Sequence, residues 1–172
     1  MIYTVTFAFA GASVLLIQKA KPDWQAGKLN GIGGKVEGKE TIFQATIREF
    51  REETDLWETP IKPKIYHAMM WPEYKSHTGC PLVYFSAFIL PPRDAVAAVT
   101  NTQGRAEPCV LWPVEKVRIG MGNFMDNLPF LVEMAKNLAI CTEEERKLRQ
   151  PMVFDPRTMR ECVEFGTRID DQ

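Results

Sequence analysis

The sequence has few of the residues that build zinc sites or disulfide frameworks. Its 172 residues include only two histidines and four cysteines. The cysteines are far apart and form no Cys-x-x-Cys pair, whereas a zinc site needs clustered ligands. Disulfides are also rare in reducing compartments. We therefore expect four reduced, mostly buried thiols in a cytoplasmic protein, namely Cys80, Cys109, Cys141 and Cys162.

An excess of positive charge and a long hydrophobic run are also missing. The net charge is −1 and the isoelectric point is about 6.2, so there is no basic field to bind a nucleic-acid backbone. The apolar stretch 1–19 alternates like a strand, lacks a positively charged start and is too interrupted to span a membrane. We expect no nucleic-acid polymer and no membrane as partner. A charged small molecule remains compatible with this composition if a metal screens it.

The pattern of apolar residues predicts a mixed α/β sandwich. Hydrophobic residues make up 45% of the chain, which is long enough to bury a core. A helix between strands, followed by a second helix near the end, is typical of this architecture. Strands are predicted at 3–10, 13–19, near 29–32, at 64–71, at 82–90 and at 107–117, with a second helix over 127–140.

The first helix carries a cluster of carboxylates beside an apolar face. Phe43, Ile47 and Phe50 recur at helical spacing. The helix should begin near Thr41 and end near Thr54, since the prolines that follow cannot continue it.

Glu49, Glu52 and Glu53 are three and four residues apart, so their side chains can converge on one point of this helix. Hard oxygen ligands of this kind suit Mg²⁺ or Mn²⁺. Arg48 could hold one of the carboxylates in orientation. A charged run of this type is more often simply a solvated surface.

The glycines that precede the helix favour the metal site over the solvated surface. Gly31, Gly33 and Gly34 allow a sharp turn and a close approach of backbone amides to a ligand. A loop of this kind facing a carboxylate cluster makes a place for a metal-bound diphosphate.

The segment from Gly34 to Leu56 resembles the Nudix box. The family pattern is G-x5-E-x7-R-E-U-x-E-E-x-G-U, where U is a bulky apolar residue. Every fixed position is matched by Gly34, Glu40 and the run from Arg48 to Leu56, except that Asp55 replaces a glycine. That glycine serves as a left-handed helix cap, a role that aspartate tolerates less well.

The resemblance implies an α/β/α sandwich with a mixed β-sheet between helices, and a Mg²⁺- or Mn²⁺-dependent hydrolase. It implies that Glu49, Glu52 and Glu53 are metal ligands, that Glu40 assists and that Arg48 orients a carboxylate. The backbone of Gly33, Gly34 and Lys35 would face the metal and the phosphates, with Gly34 also among the metal ligands.

The general base is left open by the sequence. A box glutamate can serve, and in some relatives the base lies on a distant loop. Glu107, which precedes a predicted strand, is the candidate for that loop position or for an extra metal ligand. The alternative is an ordinary loop acid.

The flanking residues resemble the MutT-like branch. The segment "LNGIGGKV" places Asn30 where an asparagine contacts the purine, and Asn127 opens the last helix in a similar Asn-x-Pro context. The alternatives are a turn residue for Asn30 and a helix cap for Asn127. Asn123 and Asp126 are nearby alternatives to Asn127. Trp24, Phe7 and Phe124 are candidates for stacking on the base.

The predicted function is therefore cleavage of nucleoside triphosphates to a nucleoside monophosphate and pyrophosphate, including oxidised purines such as 8-oxo-dGTP, in cleansing the nucleotide pool. Hydrolysis of ADP-ribose or a dinucleoside polyphosphate is the alternative, with single-residue hints in Pro72 and Tyr74. A non-catalytic nucleotide-sensing module is the third.

Two regions are expected along the chain. Residues 1–140 form the Nudix hydrolase domain and residues 141–172 an extension of unknown role. The extension could cap the substrate pocket, pair in a homodimer or remain in solvent.

Overall fold

The computed structural model describes residues 1–70, 82–140, 152–155 and 160–164. Pro72, Tyr74, Cys80 and Cys141 lie outside these ranges. Cys109 is buried and free, as predicted.

The described ranges contain eight strands and four α-helices. The strands are β1 Ile2–Ala10, β2 Ser13–Gln18, β3 Leu29–Asn30, β4 Lys64–Met70, β5 Leu82–Ile89, β6 Cys109–Pro113, β7 Met152–Asp155 and β8 Arg160–Glu164. The helices are α1 Ile42–Thr54, α2 Pro92–Thr102, α3 Val114–Arg118 and α4 Leu128–Ala139.

The strands form one mixed sheet in the order β3-β2-β1-β5-β4-β7-β8, and β6 also pairs with β2. The hairpin of β1 and β2 is antiparallel, with Ala10 opposite Ser13. β1 runs parallel to β5, and β4 runs parallel to β7. The predicted mixed sheet is confirmed.

Helices cover both faces of the sheet because β1 and β2 are apolar on both sides. Phe7 and Leu16 face a cluster that includes α3 and α4, whereas Ala8 and Leu15 face a cluster that includes α1 and α2. This is the α/β/α sandwich that the resemblance implies. None of the helices in the described ranges is long and apolar enough to cross a membrane.

Helix α1 has well-defined ends. The Thr41 hydroxyl accepts a hydrogen bond from the Gln44 backbone N–H, and the Gln44 side chain accepts one from the Thr41 N–H, which together form a capping box. At the other end Asp55 adopts the left-handed conformation with φ 59° and ψ 33°. The structure thus confirms a left-handed cap at the position where the box has glycine.

Helices α2 and α3 are not predicted by the sequence pattern. Pro91 and Pro92 predict only the end of β5, but Pro92 is the first residue of α2, a position that proline favours. The strand predicted over 107–117 ends at Pro113, and Val114 begins α3.

Candidate active site

A short extended segment, residues 32–36, runs along β1 and carries the two central glycines. The Thr6 N–H donates to the Ile32 carbonyl at 2.6 Å, and the Thr4 N–H donates to the Gly34 carbonyl at 2.8 Å. A Cβ on Gly33, where φ is 153°, would lie 2.1 Å from the Thr4 carbonyl oxygen. Only glycine therefore fits at position 33.

Gly34 lies directly against a carboxylate of α1. A Cβ built on this residue would be 2.5 Å from Glu49 Oε2. The absence of a side chain at position 34 therefore allows the backbone to approach the Glu49 carboxylate.

Arg48 joins three carboxylates and one backbone carbonyl at the centre of the site. Its Nη2 donates to Glu40 Oε1 at 2.8 Å and to the Lys35 carbonyl at 2.9 Å. Its Nη1 donates to Glu49 Oε1 at 2.8 Å and to Glu52 Oε2 at 3.1 Å. The guanidinium therefore fixes the segment before α1 relative to two carboxylates of α1.

Glu53 lies on the same side of α1 and is mostly buried, with 18% of its side chain exposed. Its Oε2 accepts a hydrogen bond from the Gly33 N–H at 2.8 Å. Lys19 Nζ lies 3.5 Å from its Oε1. Glu53 thus connects α1 to the glycine segment and to the end of β2.

Glu107 contacts the same lysine from the other side. Its Oε2 accepts from Lys19 Nζ at 2.5 Å. Its Oε1 accepts from the backbone N–H groups of Ala20 at 2.7 Å and Lys21 at 3.1 Å. The structure therefore brings Glu107 to the carboxylate cluster through Lys19.

Burial and ion pairing separate the pKa values of these carboxyl groups. Desolvation raises the pKa of Glu53 to about 7, against the opposing effect of Lys19. Desolvation also raises the pKa of Glu49. The hydrogen bonds from Arg48 hold the pKa of Glu40 below its usual range. For Glu107, desolvation is outweighed by the hydrogen bonds from Lys19 and the two amides, and its pKa is lowered.

The donor set fits a hard divalent cation, although the carboxylates are paired with cationic side chains. Among the described residues, no three His, Cys, Asp or Glu side chains form a ready metal cluster. Glu49 and Glu53 nevertheless place carboxyl groups in a poorly solvated environment, and this desolvation raises their pKa values. Carboxylate and backbone carbonyl oxygens are the ligands that Mg²⁺ and Mn²⁺ prefer.

Backbone hydrogen bonds connect the two segments that carry the asparagines predicted to contact the base. The Leu29 N–H donates to the Asn123 carbonyl at 2.7 Å, and the Met125 N–H donates to the Leu29 carbonyl at 3.1 Å. This pairing joins β3, which contains Asn30, to the segment that leads to Asn127.

Asn30 lies in β3 opposite Ile17 and not in a turn, and its Oδ1 accepts from the Gly31 N–H at 2.8 Å. Asn127 has the backbone role of its alternative, a residue at the start of the helix. The Asn127 carbonyl accepts from the Leu131 N–H, which begins α4.

Of the three aromatic candidates for stacking, only Trp24 is largely exposed, at 60%. It lies in a short 3-10 turn, Asp23–Gln25. Phe7 is completely buried in the core. Phe124 is buried and packs edge-on against Trp112, with ring centroids 5.8 Å apart. The exposed fraction therefore favours Trp24.

Lys19 is the residue of this site that sequence reasoning missed. It follows β2 and is 34 residues from Glu53 and 88 residues from Glu107. Its one signal in the sequence was a charged residue at the end of an apolar strand, which is ordinary at a protein surface.

A family model described as NUDIX domain matches residues 3–88, half of the chain. The chain belongs to the Nudix family. Members generally hydrolyse phosphoric anhydride bonds with divalent metal ions. No curated protein matches the sequence.

Solved structures of Nudix proteins share the fold. The NUDIX domain of Shewanella oneidensis NrtR, complexed with ADP ribose, is 14% identical, with a TM-score of 0.58 over 80% of this chain and 87% of that one. NrtR complexed with a 27mer DNA has a TM-score of 0.61 at 16% identity over 80% of this chain, which spans only 60% of that one.

A MutT protein from Bacillus halodurans is 16% identical, with a TM-score of 0.56 over 94% of both chains. A bifunctional NMN adenylyltransferase/ADP ribose pyrophosphatase from Francisella tularensis, complexed with AMP and a Mn ion, is 14% identical, with a TM-score of 0.57 over 80% of this chain and 41% of that one. Identities this low show the fold alone.

Proposed function

We propose that this Nudix protein is a Mg²⁺- or Mn²⁺-dependent hydrolase that cleaves nucleoside triphosphates to a nucleoside monophosphate and pyrophosphate. The observation that carries the proposal is the approach of the Gly33–Gly34 backbone to the carboxylates of Glu49 and Glu53. A glycine backbone beside mostly buried carboxylates suits a phosphate chain with its counter-ions.

In this proposal Glu49, Glu52 and Glu53 hold the divalent cation, together with the Gly34 carbonyl. When bound, the cation would neutralise charge on the phosphates and lower the pKa of a water molecule that attacks phosphorus. Glu40 assists metal binding through Arg48. The Arg48 guanidinium pairs with Glu40 and keeps the carboxylates of Glu49 and Glu52 in place. A box glutamate takes the proton of the attacking water.

In this proposal the purine base of the substrate is recognised by residues outside the glycine segment. Asn30 and Asn127 each offer a donor and an acceptor to a purine edge, and the exposed ring of Trp24 can stack on the base. The backbone pairing between Leu29 and Met125 supports this assignment because it holds the two asparagine-bearing segments together. An oxidised purine such as 8-oxo-dGTP is the substrate that we would test first.

Hydrolysis of ADP-ribose or a dinucleoside polyphosphate is the second candidate. It is favoured by the shared fold of the NrtR domain that was solved with ADP ribose. The absence of nucleic-acid binding and the cytoplasmic location remain predictions. NrtR, with the same fold, was solved with DNA.

A turnover screen tests the proposal. The protein is incubated with Mg²⁺ and a panel of dNTPs, NTPs, 8-oxo-dGTP, ADP-ribose and a diadenosine polyphosphate. We expect pyrophosphate and a nucleoside monophosphate from one triphosphate, with turnover lost in Glu52→Gln and Glu53→Gln.

The control is Glu58→Gln, which makes the same change at an exposed residue beyond α1. Turnover of ADP-ribose alone would exclude the triphosphate assignment. If no compound on the panel is cleaved but a nucleotide still binds, the protein is a sensing module.

A further inference from the structure

Glu107 is engaged on both of its carboxylate oxygens. One oxygen accepts from Lys19 Nζ, and the other accepts from the backbone N–H groups of Ala20 and Lys21. A carboxylate that already accepts three hydrogen bonds, two of them from the backbone, is a weak base. It is correspondingly strong as an anchor, because charge-assisted hydrogen bonds are about twice as strong as neutral ones.

The backbone that Glu107 holds is the start of the loop that leads from β2 to β3. The loop contains Trp24, and β3 at its end contains Asn30. At its base the Lys19 N–H donates to the Lys28 carbonyl at 2.9 Å, and the Gly27 N–H donates to the Lys19 carbonyl at 2.8 Å. Residues 19–28 therefore form a closed loop.

The far side of this loop is attached to the segment before α4. Asn123 Nδ2 donates to the Gly27 carbonyl at 3.0 Å. Glu107 is the attachment on the near side, contributed by the loop that precedes β6. The same Lys19 that Glu107 contacts also reaches Glu53 of α1.

We infer that Glu107 is a positioning residue, which fixes the loop 19–28 beside the carboxylates of α1 and so sets how the nucleoside is held. It acts through Lys19 and the amides of Ala20 and Lys21. This inference rests on the proposed function for its substrate, whereas the anchoring itself does not depend on that function.

Two substitutions at this position separate anchoring from base catalysis. The Gln in Glu107→Gln retains an oxygen for the Ala20 and Lys21 amides but loses the ion pair with Lys19. Ala in Glu107→Ala removes all three acceptor contacts. The matched control is Glu115→Gln, the same change on α3 at a side chain that is 68% exposed and pairs with Arg118.

Amide hydrogen exchange measures the anchoring directly. We expect the Ala20 and Lys21 amides to exchange faster in Glu107→Ala by on the order of tenfold, with most of the protection kept in Glu107→Gln and all of it in Glu115→Gln. Unchanged exchange in Glu107→Ala would overturn the inference.

Kinetics measure the consequence for the substrate. For Glu107→Ala we expect KM to rise by on the order of tenfold while kcat falls less, with Glu107→Gln in between. Equal losses of kcat in both variants by about a hundredfold or more, with KM unchanged, would identify a general base instead.

The design also separates failure of the inference from failure of the proposed function. If the unmodified protein cleaves no nucleotide, the dissociation constant of a non-hydrolysable nucleoside triphosphate analogue with Mg²⁺ replaces KM. A weaker complex in Glu107→Ala would support the inference without catalysis. An unchanged dissociation constant in Glu107→Ala, or no binding by any variant, would overturn the role of Glu107 in holding the nucleotide.

Discussion

Glu53 combines a mostly buried position with an ionisable carboxyl group. Its pKa is raised to about 7 by desolvation, so the folded protein holds a proton that the unfolded chain releases near pH 4.5. The free energy of unfolding therefore falls as the pH rises from about 4.5 to about 7, by up to about 3 kcal/mol. Glu49, whose pKa is also raised, acts in the same direction. Glu40 and Glu107, whose pKa values are lowered, lose their stabilising effect only below this window.

This fall of the free energy of unfolding with rising pH gives a prediction for the metal-free protein. Urea unfolding in EDTA at pH 5, 6, 7 and 8 should show stability decreasing with pH. Glu53→Gln should weaken this dependence and be more stable than the unmodified chain at pH 8. Glu58→Gln should leave the dependence unchanged. A metal-free protein equally stable at pH 5 and pH 8 would contradict the account of Glu53.

Gly34 gives a second prediction at the scale of single residues. In Gly34→Ala the new methyl group meets the Glu49 carboxylate, which is the movable end of a flexible side chain. We expect a small loss of stability but a loss of kcat/KM of about a hundredfold, because the carboxylate is displaced.

Gly38→Ala is the contrasting variant, at a glycine between that segment and α1. The methyl group that this change adds would have no atom within 4 Å, but φ is 53°. It should cost about 1 kcal/mol of stability and leave turnover near normal. Activity retained in Gly34→Ala would exclude the close approach to Glu49 as a requirement.

The C-terminus of α1 shows how one element accommodates a departure from its family pattern. Asp55 adopts φ 59° where the box has glycine. Its Oδ1 accepts from Trp57 Nε1 at 2.9 Å, and Arg105 Nη2 lies 3.4 Å from its Oδ2. These contacts are exposed and individually weak, but they offset part of the cost of a left-handed backbone.

The effect of Asp55 substitutions on stability should therefore depend on the backbone conformation more than on the side-chain contacts. Asp55→Ala should lower the free energy of unfolding by about 1 kcal/mol, because Ala tolerates the left-handed region poorly. Asp55→Gly should remain within about 0.5 kcal/mol of the unmodified chain. Urea denaturation of the purified variants checks both values. Equal destabilisation by Ala and Gly would show that the contacts dominate.

Elements with local signals could be predicted from the sequence, whereas others could not. Both ends of α1 were predictable, since Thr41 is a capping residue and the prolines after Asp55 exclude helix. The segment after β5 begins with Pro91 and Pro92, which are equally compatible with a loop and with the start of α2. The buried residues of α2 all have small side chains, namely Ala95, Ala98 and Thr102, so its buried face gave a weak signal.

At the scale of the whole molecule, the site is assembled from segments that are distant in sequence. The box could be recognised because its carboxylates and Arg48 lie within one helix. The contact of Lys19 with Glu107 spans 88 residues and depends on the pairing of β2 with β6, where Ile17 lies opposite Cys109. No local pattern encodes a register of this kind, so Lys19 was not predictable while the glutamates were.

The predicted boundary at residue 140, between the Nudix domain and a C-terminal extension, also concerns the whole molecule. β7 pairs in parallel with β4, with His67 opposite Met152, and β8 pairs with β7. The residues assigned to a C-terminal extension therefore contribute two strands to the sheet of the Nudix domain. Without them β4 would become an edge strand with unpaired backbone groups.

We therefore expect a chain that ends at Ile140 to be less stable than the full chain and more prone to association. A ladder of parallel backbone hydrogen bonds would be lost, and an open strand edge is a template for pairing with a second copy. Urea denaturation and size-exclusion chromatography of the two chains measure both effects, and Mg²⁺-dependent turnover shows whether the carboxylates of α1 still function. Equal unfolding free energies, with the shortened chain monomeric and active, would establish residues 1–140 as an independent domain and the two strands as an addition that the fold does not require.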